Sequence, residues 1–430
     1  MSSTGKMDSG ADATTAAAYD RSLVQKTVRQ SLSKVIPSSG FPNLLNISEA
    51  PFSLHNGFGT TLRTFFRDWP PEKFFQISTQ FDFFDFSPFQ GRFAFFLIPY
   101  HFSKRSFPKW LLGAIPEWRG HYQPLWLARR FRRWKPDAVY SLVCSLHTLE
   151  FADWIARSLR IPHIGHVADA FSDGADPVLE EHIRQLFSRM ARRMVIGTRM
   201  KEQFTQRYGY EFQVFHNGPE EEALNSPALE RTGNKVFTIR FLGSILPTYH
   251  HSAIEDILES VRSLNRQGIA TRFEFCGGEW ASENIRPLID GDAIRYHPNF
   301  SVEEGIDLRR TADLLVHPVS FNPASQRFIQ YSFPTKIPEY LGSGTPVLVY
   351  GPPECDVIGY FQRNNLETII YERRQDLIEA HIKSIIANPE YHRKKAQSQR
   401  EFARLHLGAS ALRIRLYQEI RSAVLEQGEG

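Results

Sequence analysis

The stretch FPTKIPEYLGSGTPVLV, from Phe333 to Val349, decides the fold of this chain. It predicts a short helix over 336–341, because two glycines end the helical pattern and an apolar strand follows them. A carboxylate one turn into this helix, Glu339, is expected to face the crevice at the carboxyl ends of parallel strands. Its two acceptor oxygens suit a vicinal diol such as that of a ribose. The alternative is an acidic residue that stabilises the helix terminus through the macrodipole.

Short apolar runs alternate with helical patterns on both sides of residue 220. Runs of this kind are typical of βαβ units and parallel sheets. Two such sets predict an α/β fold with two doubly wound, Rossmann-like domains. The predicted strands are Leu44–Ile47, Phe74–Ser78, Phe93–Ile98, Ala138–Val143, His163–Val167, Met194–Ile196, Gln213–Phe215, Val236–Leu242, Arg272–Cys276, Ala293–Tyr296, Leu314–His317, Pro346–Tyr350 and Thr368–Ile370.

The length of 430 residues exceeds one ordinary core, since a domain commonly holds roughly 100–200 residues. We place an N-terminal domain over 40–218 and a second domain over 232–405. An acidic linker without apolar periodicity is predicted over 219–234. Residues 1–22 are rich in Ser, Thr and Ala and have no apolar h-region, so we predict a disordered tail there rather than a secretory signal.

The last segment, 406–425, is predicted to be an amphipathic helix. Apolar residues recur every four positions, and such a stripe must pack on another surface. This surface could belong to either domain. The stripe consists of Leu412, Leu416, Ile420 and Val424, with Leu405 and Tyr417 at its sides.

The composition is that of an ordinary globular protein, with 42% hydrophobic and 23% charged residues. It excludes a disordered chain, a collagen-like repeat and a coiled coil. Cys144, Cys276 and Cys355 lie far apart, which excludes a disulfide framework and favours a reducing compartment. Residues 1–218 carry 27 Lys and Arg against 19 Asp and Glu, whereas residues 219–430 carry 24 against 28. This asymmetry suggests two domains with different partners.

A basic cluster precedes the strand predicted over 138–143. It contains Arg129, Arg130, Arg132 and Arg133, with Trp134 among them. The cluster is either a solvated helix end or a patch that contacts an anionic membrane peripherally. Nucleic acid is not expected as a partner, because the second half of the chain is acidic. No stretch reaches the roughly 18 uninterrupted apolar residues of a membrane span, so we expect a cytoplasmic protein, with the inner membrane face as a candidate location.

Two glycines, Gly57 and Gly59, flank Phe58 between the first predicted strand and a helix. Glycines allow the backbone to approach a ligand closely, and a helix N-terminus favours anions. The third glycine of a dinucleotide fingerprint is absent, because Leu62 holds its position, and no Walker A motif occurs. A nicotinamide enzyme and a P-loop NTPase are therefore not predicted.

Asp169 directly follows a predicted strand and is expected to face the cleft between the domains. Its alternative role is to cap the next turn. His163 and His166 are interpreted as a sheet surface pair rather than metal ligands. Asp290 and Asp292 form an Asp-x-Asp in a segment with strong turn chemistry, which we interpret as a turn. The sequence therefore predicts no metal site and no cofactor.

The ordered series of motifs over about 40–425 resembles GT-B glycosyltransferases of the retaining family 4 type. The stretch 333–349 resembles that family's Pro-(Ser/Thr)-Lys signature, which continues through a Glu to Gly-x-Pro-Val. The other matching segments are Ser48–Pro51, Asn56–Thr61, Pro136–Tyr140, Ile161–His163, Thr198–Met200, Tyr208–Gly209, His216–Gly218 and Phe241–Ser244.

The resemblance implies a two-domain GT-B fold whose C-terminal helix crosses back to the first domain. It also implies a metal-independent, hexosyltransferase-like enzyme that moves a sugar, with retention, from a nucleoside-diphosphate sugar to an acceptor hydroxyl. The acceptor would bind the first domain and would belong to polysaccharide or glycolipid biosynthesis, with a lipid-linked molecule among the candidates.

Individual roles follow from the same resemblance. Glu339 would bind the ribose hydroxyls, and Lys336 would carry much of the charge of the leaving diphosphate. Asp169 would orient the acceptor hydroxyl or the sugar ring. Further donor-binding candidates are Thr335, Gly243, Ser244, Arg327, Tyr331 and the Gly-rich loop Gly57, Phe58 and Gly59.

Three positions depart from the family's pattern. Tyr331 replaces an earlier Glu that contacts the donor sugar, so the resemblance does not name that sugar. Ser244 and Tyr249 stand where many relatives carry an Arg and a Lys after Gly243. Two alternatives therefore stay open: a catalytically silent GT-B scaffold, and a GT-B-fold nucleotide-sugar epimerase or hydrolase.

Overall fold

A computed structural model of the chain describes most of the residues from 36 to 428. The described residues are 36–50, 57–79, 92–95, 131, 133–172, 174–226, 236–277, 286–298 and 300–428, with backbone only at 92–95, 247–248, 251 and 327–328. The predicted tail over 1–22 lies outside the described residues, as do Arg129, Arg130 and Arg132.

The first sheet is parallel throughout. Its strands are β1 Leu44–Ser48, β2 Phe74–Ser78, β3 Arg92–Phe95, β4 Ala138–Val143, β5 His163–Val167, β6 Arg192–Val195 and β7 Gln213–Val214. Among the described residues their order is β3-β2-β1-β4-β5-β6-β7. The order therefore reverses between β1 and β4, which creates a crevice at their carboxyl ends.

The second sheet is also parallel. Its strands are β8 Phe237–Leu242, β9 Thr271–Gly277, β10 Ile294–Pro298, β11 Leu314–Pro318, β12 Val347–Tyr350 and β13 Ile369–Ile370. Within the described part of the chain the order is β10-β9-β8-β11-β12-β13, so it reverses between β8 and β11. The predicted strands are confirmed, with ends that differ by one or two residues. The end of the strand predicted over 93–98 lies outside the described residues.

Helices cover both sheets. They are α1 Gly57–Phe66, α2 Leu146–Leu159, α3 Pro177–Ser188, α4 Thr198–Tyr208, α5 Glu221–Asn225, α6 Pro247–Arg266, α7 Val302–Thr311, α8 Pro323–Ile329, α9 Lys336–Gly342, α10 Asp356–Arg363, α11 Gln375–Ala387, α12 Pro389–His406 and α13 Ala409–Gly428. The helix predicted over 336–341 is confirmed as α9, and Gly344 beyond it has a φ of +75° that favours glycine.

Both faces of the first sheet are buried, which explains why its strands are almost continuously apolar. His163 and His166 are both buried. The prediction of a histidine pair on the sheet surface is therefore wrong. His163 Nε2 lies 2.8 Å from Ser141 Oγ, and His166 Nδ1 lies 2.7 Å from the Tyr140 hydroxyl. Each imidazole thus has a polar partner within the sheet.

The C-terminal helix α13 packs on α1 and β4 of the first sheet, which confirms the predicted crossing. Leu412, Leu416 and Ile420 of the predicted stripe are buried, and the Tyr417 hydroxyl donates to Gly40 O at 2.9 Å. Leu405 differs from the expectation, since it is 67% exposed. It belongs to α12, which ends before α13 begins and presents a different face.

The two segments that pass between the sheets lie in contact. Ala409 N donates to Pro219 O at 3.0 Å. A Cβ atom on Gly218 would lie 2.1 Å from Leu407 O, so the backbones approach more closely than any side chain at this position would allow. The connection after the first sheet and the return to it thus form one paired crossing.

Two described members of the basic cluster differ in environment. Arg133 is exposed, whereas Trp134 is half-buried with its ring centroid 5.5 Å from that of Phe75. Trp134 therefore packs against the first sheet. None of the helices in the described ranges combines the length and apolarity needed to cross a bilayer.

We predict that Arg413→Ala destabilises the protein by about 3 kcal/mol, because it removes a buried guanidinium that pairs with two partly buried carboxylates. Arg413 is 5% exposed; Nε lies 3.3 Å from Asp68 Oδ2, and Nη1 lies 3.0 Å from Glu220 Oε2. Chemical denaturation measures the change. Arg421→Ala, at an exposed position of the same helix, is the control and should change the unfolding free energy by less than about 0.5 kcal/mol. Equal effects of the two changes would contradict the role of Arg413.

Candidate active site

A cavity of about 390 Å³ lies between the two sheets. Its wall contains residues at or just after the carboxyl ends of strands from both sheets, together with the N-terminus of α1. They include Leu142, Ala168 and Asp169 from the first sheet and Leu242, Gly243, Gly277 and His317 from the second. The strand order reverses between β1 and β4 in the first sheet and between β8 and β11 in the second. The cavity lies at the carboxyl ends of these strands, which is where open α/β sheets bind ligands.

The Gly-rich loop meets the second domain inside this cavity. Gly57 and Phe58 line the cavity, whereas Gly59 is buried in α1. A Cβ atom on Gly57 would lie 3.3 Å from Thr335 Oγ1, so a larger residue would press on the threonine. Thr335 O also accepts a hydrogen bond from Asn217 Nδ2 at 3.2 Å. Gly57, Phe58 and Gly59 form the first turn of α1 rather than the predicted loop before it. This turn brings the backbone of the first domain against the start of α9.

Glu339 reaches the cavity from α9 and is held by an arginine. Its Oε2 atom lies 2.9 Å from Arg309 Nη1, and its side chain is 27% exposed. The backbone of Arg309 is tied to the segment just before β12, because its carbonyl oxygen accepts a hydrogen bond from Thr345 Oγ1 at 2.7 Å. Arg309 was missed in the sequence, since the pattern of α7 looks solvent-exposed. This pair sets the orientation of the Glu339 carboxylate.

Lys336 lies against the loop that follows β8. Its Nζ atom is 3.9 Å from the centroid of the Phe241 ring, a cation–π distance. A Cβ atom on Gly243 would lie 3.0 Å from this Nζ, and Gly243 has a φ of +118°. Burial lowers the pKa of Lys336 from 10.5 to about 7, and the charge of Glu339 opposes the shift. Burial therefore disfavours the charged form of this side chain.

The remaining donor-binding candidates divide into two groups. Ser244 and Thr335 line the cavity, as does Tyr249. Tyr331 is not among the lining residues, because its ring is buried in the apolar core. The side chain of Arg327 lies outside the described part of the structure.

Asp169 lines the cavity on the side of the first domain. Burial, with a smaller contribution from the nearby charge of Glu49, raises its pKa to about 7. Glu49 follows β1 and accepts hydrogen bonds from Ser145 N at 2.9 Å and Ser145 Oγ at 2.8 Å. The loop after Asp169 is capped by Ser172 Oγ, which accepts from Gly174 N at 3.1 Å. This geometry favours the cavity-facing role of Asp169 over the turn cap.

The Asp290–Asp292 segment is a turn, as predicted. Asp290 Oδ1 accepts hydrogen bonds from Asp292 N at 3.0 Å and Ile294 N at 2.8 Å. Gly291 between the aspartates has a φ of +84°, which suits glycine. In the described ranges, no group of three or more His, Cys, Asp or Glu side chains is arranged to hold a metal ion.

No protein-family model matches the sequence, and no curated protein matches it. The fold is similar to that of HepE from Anabaena in complex with UDP, with a TM-score of 0.63 and 11% identity over 88% of this chain and 100% of that chain. A glycosyltransferase from Rickettsia africae is similar with a TM-score of 0.62 and 11% identity, over 89% of this chain and 98% of that chain. The α,α-trehalose 6-phosphate synthase of Burkholderia multivorans is similar with a TM-score of 0.59 and 10% identity, over 90% of this chain and 98% of that chain.

These similarities establish the class of fold. Each neighbour matches this chain across nearly its whole length. The two parallel sheets and the returning C-terminal helix of this chain are the features of a two-domain GT-B fold. The chain therefore has the two-domain GT-B fold of glycosyltransferases, and the predicted fold class is confirmed. The neighbours do not single out family 4.

We predict that the unfolding free energy of the native protein rises with pH relative to Lys336→Met. The pKa of Lys336 is about 7 when folded and ordinarily 10.5, so between these values the unfolded chain binds more protons. The difference between native and variant should grow by about 1 kcal/mol per pH unit from about pH 7.5 to 9. Urea denaturation at several pH values measures it. The exposed Lys394→Met is the control, and parallel curves for native and Lys336→Met would contradict the burial argument.

Proposed function

We propose that the protein is a retaining glycosyltransferase that moves a sugar from a nucleoside-diphosphate sugar to an acceptor hydroxyl. The observation that carries this proposal is the convergence of Glu339, Lys336 and the first turn of α1 at Gly57 on one cavity between the domains. A carboxylate suits ribose hydroxyls, and an ammonium group suits a diphosphate. The neighbour HepE has been solved with UDP and with UDP-glucose, which supports a donor of this class.

The donor would bind the second domain. Glu339 accepts hydrogen bonds from the ribose while Arg309 fixes the plane of its carboxylate. Lys336, together with the backbone amide of Ser244, stabilises the leaving diphosphate. The amide of Gly243 does not take part, because it already donates to Cys276 O at 2.7 Å. These groups lie in a cavity between the domains, where charge interactions are stronger than in bulk water. Thr335 lies beside Lys336 and adds a hydroxyl donor to this part of the cavity.

The transfer step needs no nucleophile from the protein in the account that the family 4 resemblance implies. The leaving diphosphate accepts the proton of the acceptor hydroxyl, and the new glycosidic bond forms on the face from which the diphosphate departs. The protein then contributes positioning and anion stabilisation. One neighbouring trehalose-6-phosphate synthase structure addresses glycosyl transfer with retention, which supports this part of the proposal.

The acceptor would bind beside Asp169 in the first domain. Because its pKa is about 7, this carboxyl group can either donate a hydrogen bond to an acceptor hydroxyl or accept one near neutral pH. A lipid-linked or polysaccharide acceptor stays a prediction. Membrane contact through the basic cluster also stays a prediction; of its two described members, Arg133 is exposed and Trp134 is packed on Phe75.

We expect release of nucleoside diphosphate from at least one member of a donor panel containing UDP-glucose, UDP-galactose, GDP-mannose and ADP-glucose. Excess chelator should not change the rate, because we propose that Lys336 and backbone amides hold the diphosphate. NMR of the product measures retention at the anomeric carbon. Loss of activity restored by Mn²⁺ or Mg²⁺ would contradict metal independence. Equal release without any acceptor would favour a hydrolase, and nucleotide binding without release would favour the silent scaffold.

We predict that Glu339→Ala raises the Kd for the bound nucleoside diphosphate at least about tenfold, which is about 1.4 kcal/mol. The reason is the loss of charge-assisted hydrogen bonds to two ribose hydroxyls. Calorimetric titration measures the affinity, and circular dichroism checks the fold. Glu303→Ala, at an exposed position in the first turn of α7, is the matched control and should bind as the native protein does. Unchanged affinity in Glu339→Ala would remove Glu339 from the donor site.

A further inference from the structure

Two buried histidines lie beside Lys336 in the wall of the cavity. His317, near the end of β11, is 4% exposed, and His250, in the first turn of α6, is 6% exposed. Their ring centroids are 6.1 Å apart, with perpendicular planes. The Phe241 ring lies 5.2 Å from His250 and is the ring that Lys336 Nζ contacts. Three basic side chains from α6, β11 and α9 are thus gathered in one wall.

His317 has an unsatisfied polar atom. Its Nδ1 atom is buried and has no hydrogen-bond partner among the described residues. Nδ1 of His250, by contrast, lies 3.1 Å from Leu246 N and 3.2 Å from Leu246 O. A buried polar atom without a partner is costly, and His317 lines the cavity, so a ligand bound there is a candidate partner for this imidazole.

The charges around this cluster do not neutralise it. Glu339 is the one carboxylate on the same helix as Lys336, and it is already paired with Arg309. Burial lowers the pKa of all three basic groups, to about 7 for Lys336, to about 3 for His250 and well below its ordinary value for His317. The charged or titratable groups that line the cavity around Lys336 are Glu339, Arg309, Tyr249, His250, His317 and, across the cleft, Asp169.

We propose that His317 is a donor-binding residue that contacts the diphosphate together with Lys336, and that this cluster takes up a proton from solvent when the diphosphate enters. The inference rests on the proposed function. An incoming polyanion favours the charged form of each basic group, because it supplies the counter-charge that Glu339, already paired with Arg309, does not provide. The cluster thereby stands in for the Arg and Lys that Ser244 and Tyr249 replace. His250 contributes by packing behind Lys336 and His317.

Calorimetric titration of the full chain with UDP at pH 8, in HEPES and in Tris, tests the proton uptake. These buffers differ in ionisation enthalpy, and UDP is fully ionised at this pH, since a phosphate's second pKa is about 6. We expect a buffer-dependent heat that corresponds to net uptake of protons by the complex. UDP affinity should also fall as the pH rises from about 7 to 9, because free Lys336 loses its proton over that range. A heat that is the same in both buffers would overturn the proposal.

His317→Gln separates this residue from Lys336. We expect it to weaken UDP binding about tenfold through loss of one charge-assisted hydrogen bond, and to leave uridine binding unchanged. His381→Gln is the matched control, because His381 also has a buried Nε2 atom without a partner in the described residues but lies on α11, outside the cavity wall. Native UDP affinity in His317→Gln would overturn the role of His317.

The outcomes separate this inference from the function on which it rests. If the native chain binds none of UDP, ADP, GDP and CDP, the proposed function itself fails and the inference fails with it. If UDP binds without proton uptake, the donor site stands and only the inference is overturned. Thermal unfolding of His317→Gln checks its fold, and if that variant does not fold, the buffer dependence of the native protein decides.

Discussion

The close contact between the two crossings is the constraint on which the rest of this structure depends. Ala409 N donates to Pro219 O, and Gly218 lies against Leu407 O, so the chain leaves the first domain and returns to it at one place. From there α13 spreads over α1 and β4 and buries Arg413 among carboxylates and Thr64 O. This arrangement fixes which edges of the sheets can face each other. The facing edges are the carboxyl ends of both sets of strands, and the cavity follows from that.

Burial then sets the chemistry of the cavity. On one side it raises the pKa of Asp169 to about 7, and on the other it lowers the pKa of Lys336 to about 7. An acid and a base that are far apart in ordinary pKa are thus brought to the same range by the same cause, removal of water. Near neutral pH both side chains can therefore gain or lose a proton, although they stand on opposite walls of the cavity.

Much of the fold could be predicted, because strands that are buried on both faces read as apolar runs of recognisable length. Glu339 and Lys336 could be found because both stand in one short helix beside a strand end. His317 stood at the end of a predicted strand and could have been found by the same rule, but a single histidine produces no periodic signal. Its neighbour His250 comes from a distant helix, and only the folded sheet brings the two together. Arg309 was hidden in a helix whose charges look solvated, and Tyr331 shows that a position matched in sequence can turn its ring into the core.

The approach of Gly57 to Thr335 has a consequence for the motion of the two domains. The glycine belongs to the first domain and the threonine to the second, and only 3.3 Å separates Thr335 Oγ1 from the place of a Cβ atom on residue 57. A rotation that widens the cleft at this point moves Gly57 away from Thr335, whereas a side chain at position 57 would act as a wedge against closure. Larger side chains at position 57 would therefore hold the two domains further apart when the cleft closes. The lack of a side chain at Gly57 allows the two halves of the molecule to meet as closely as they do.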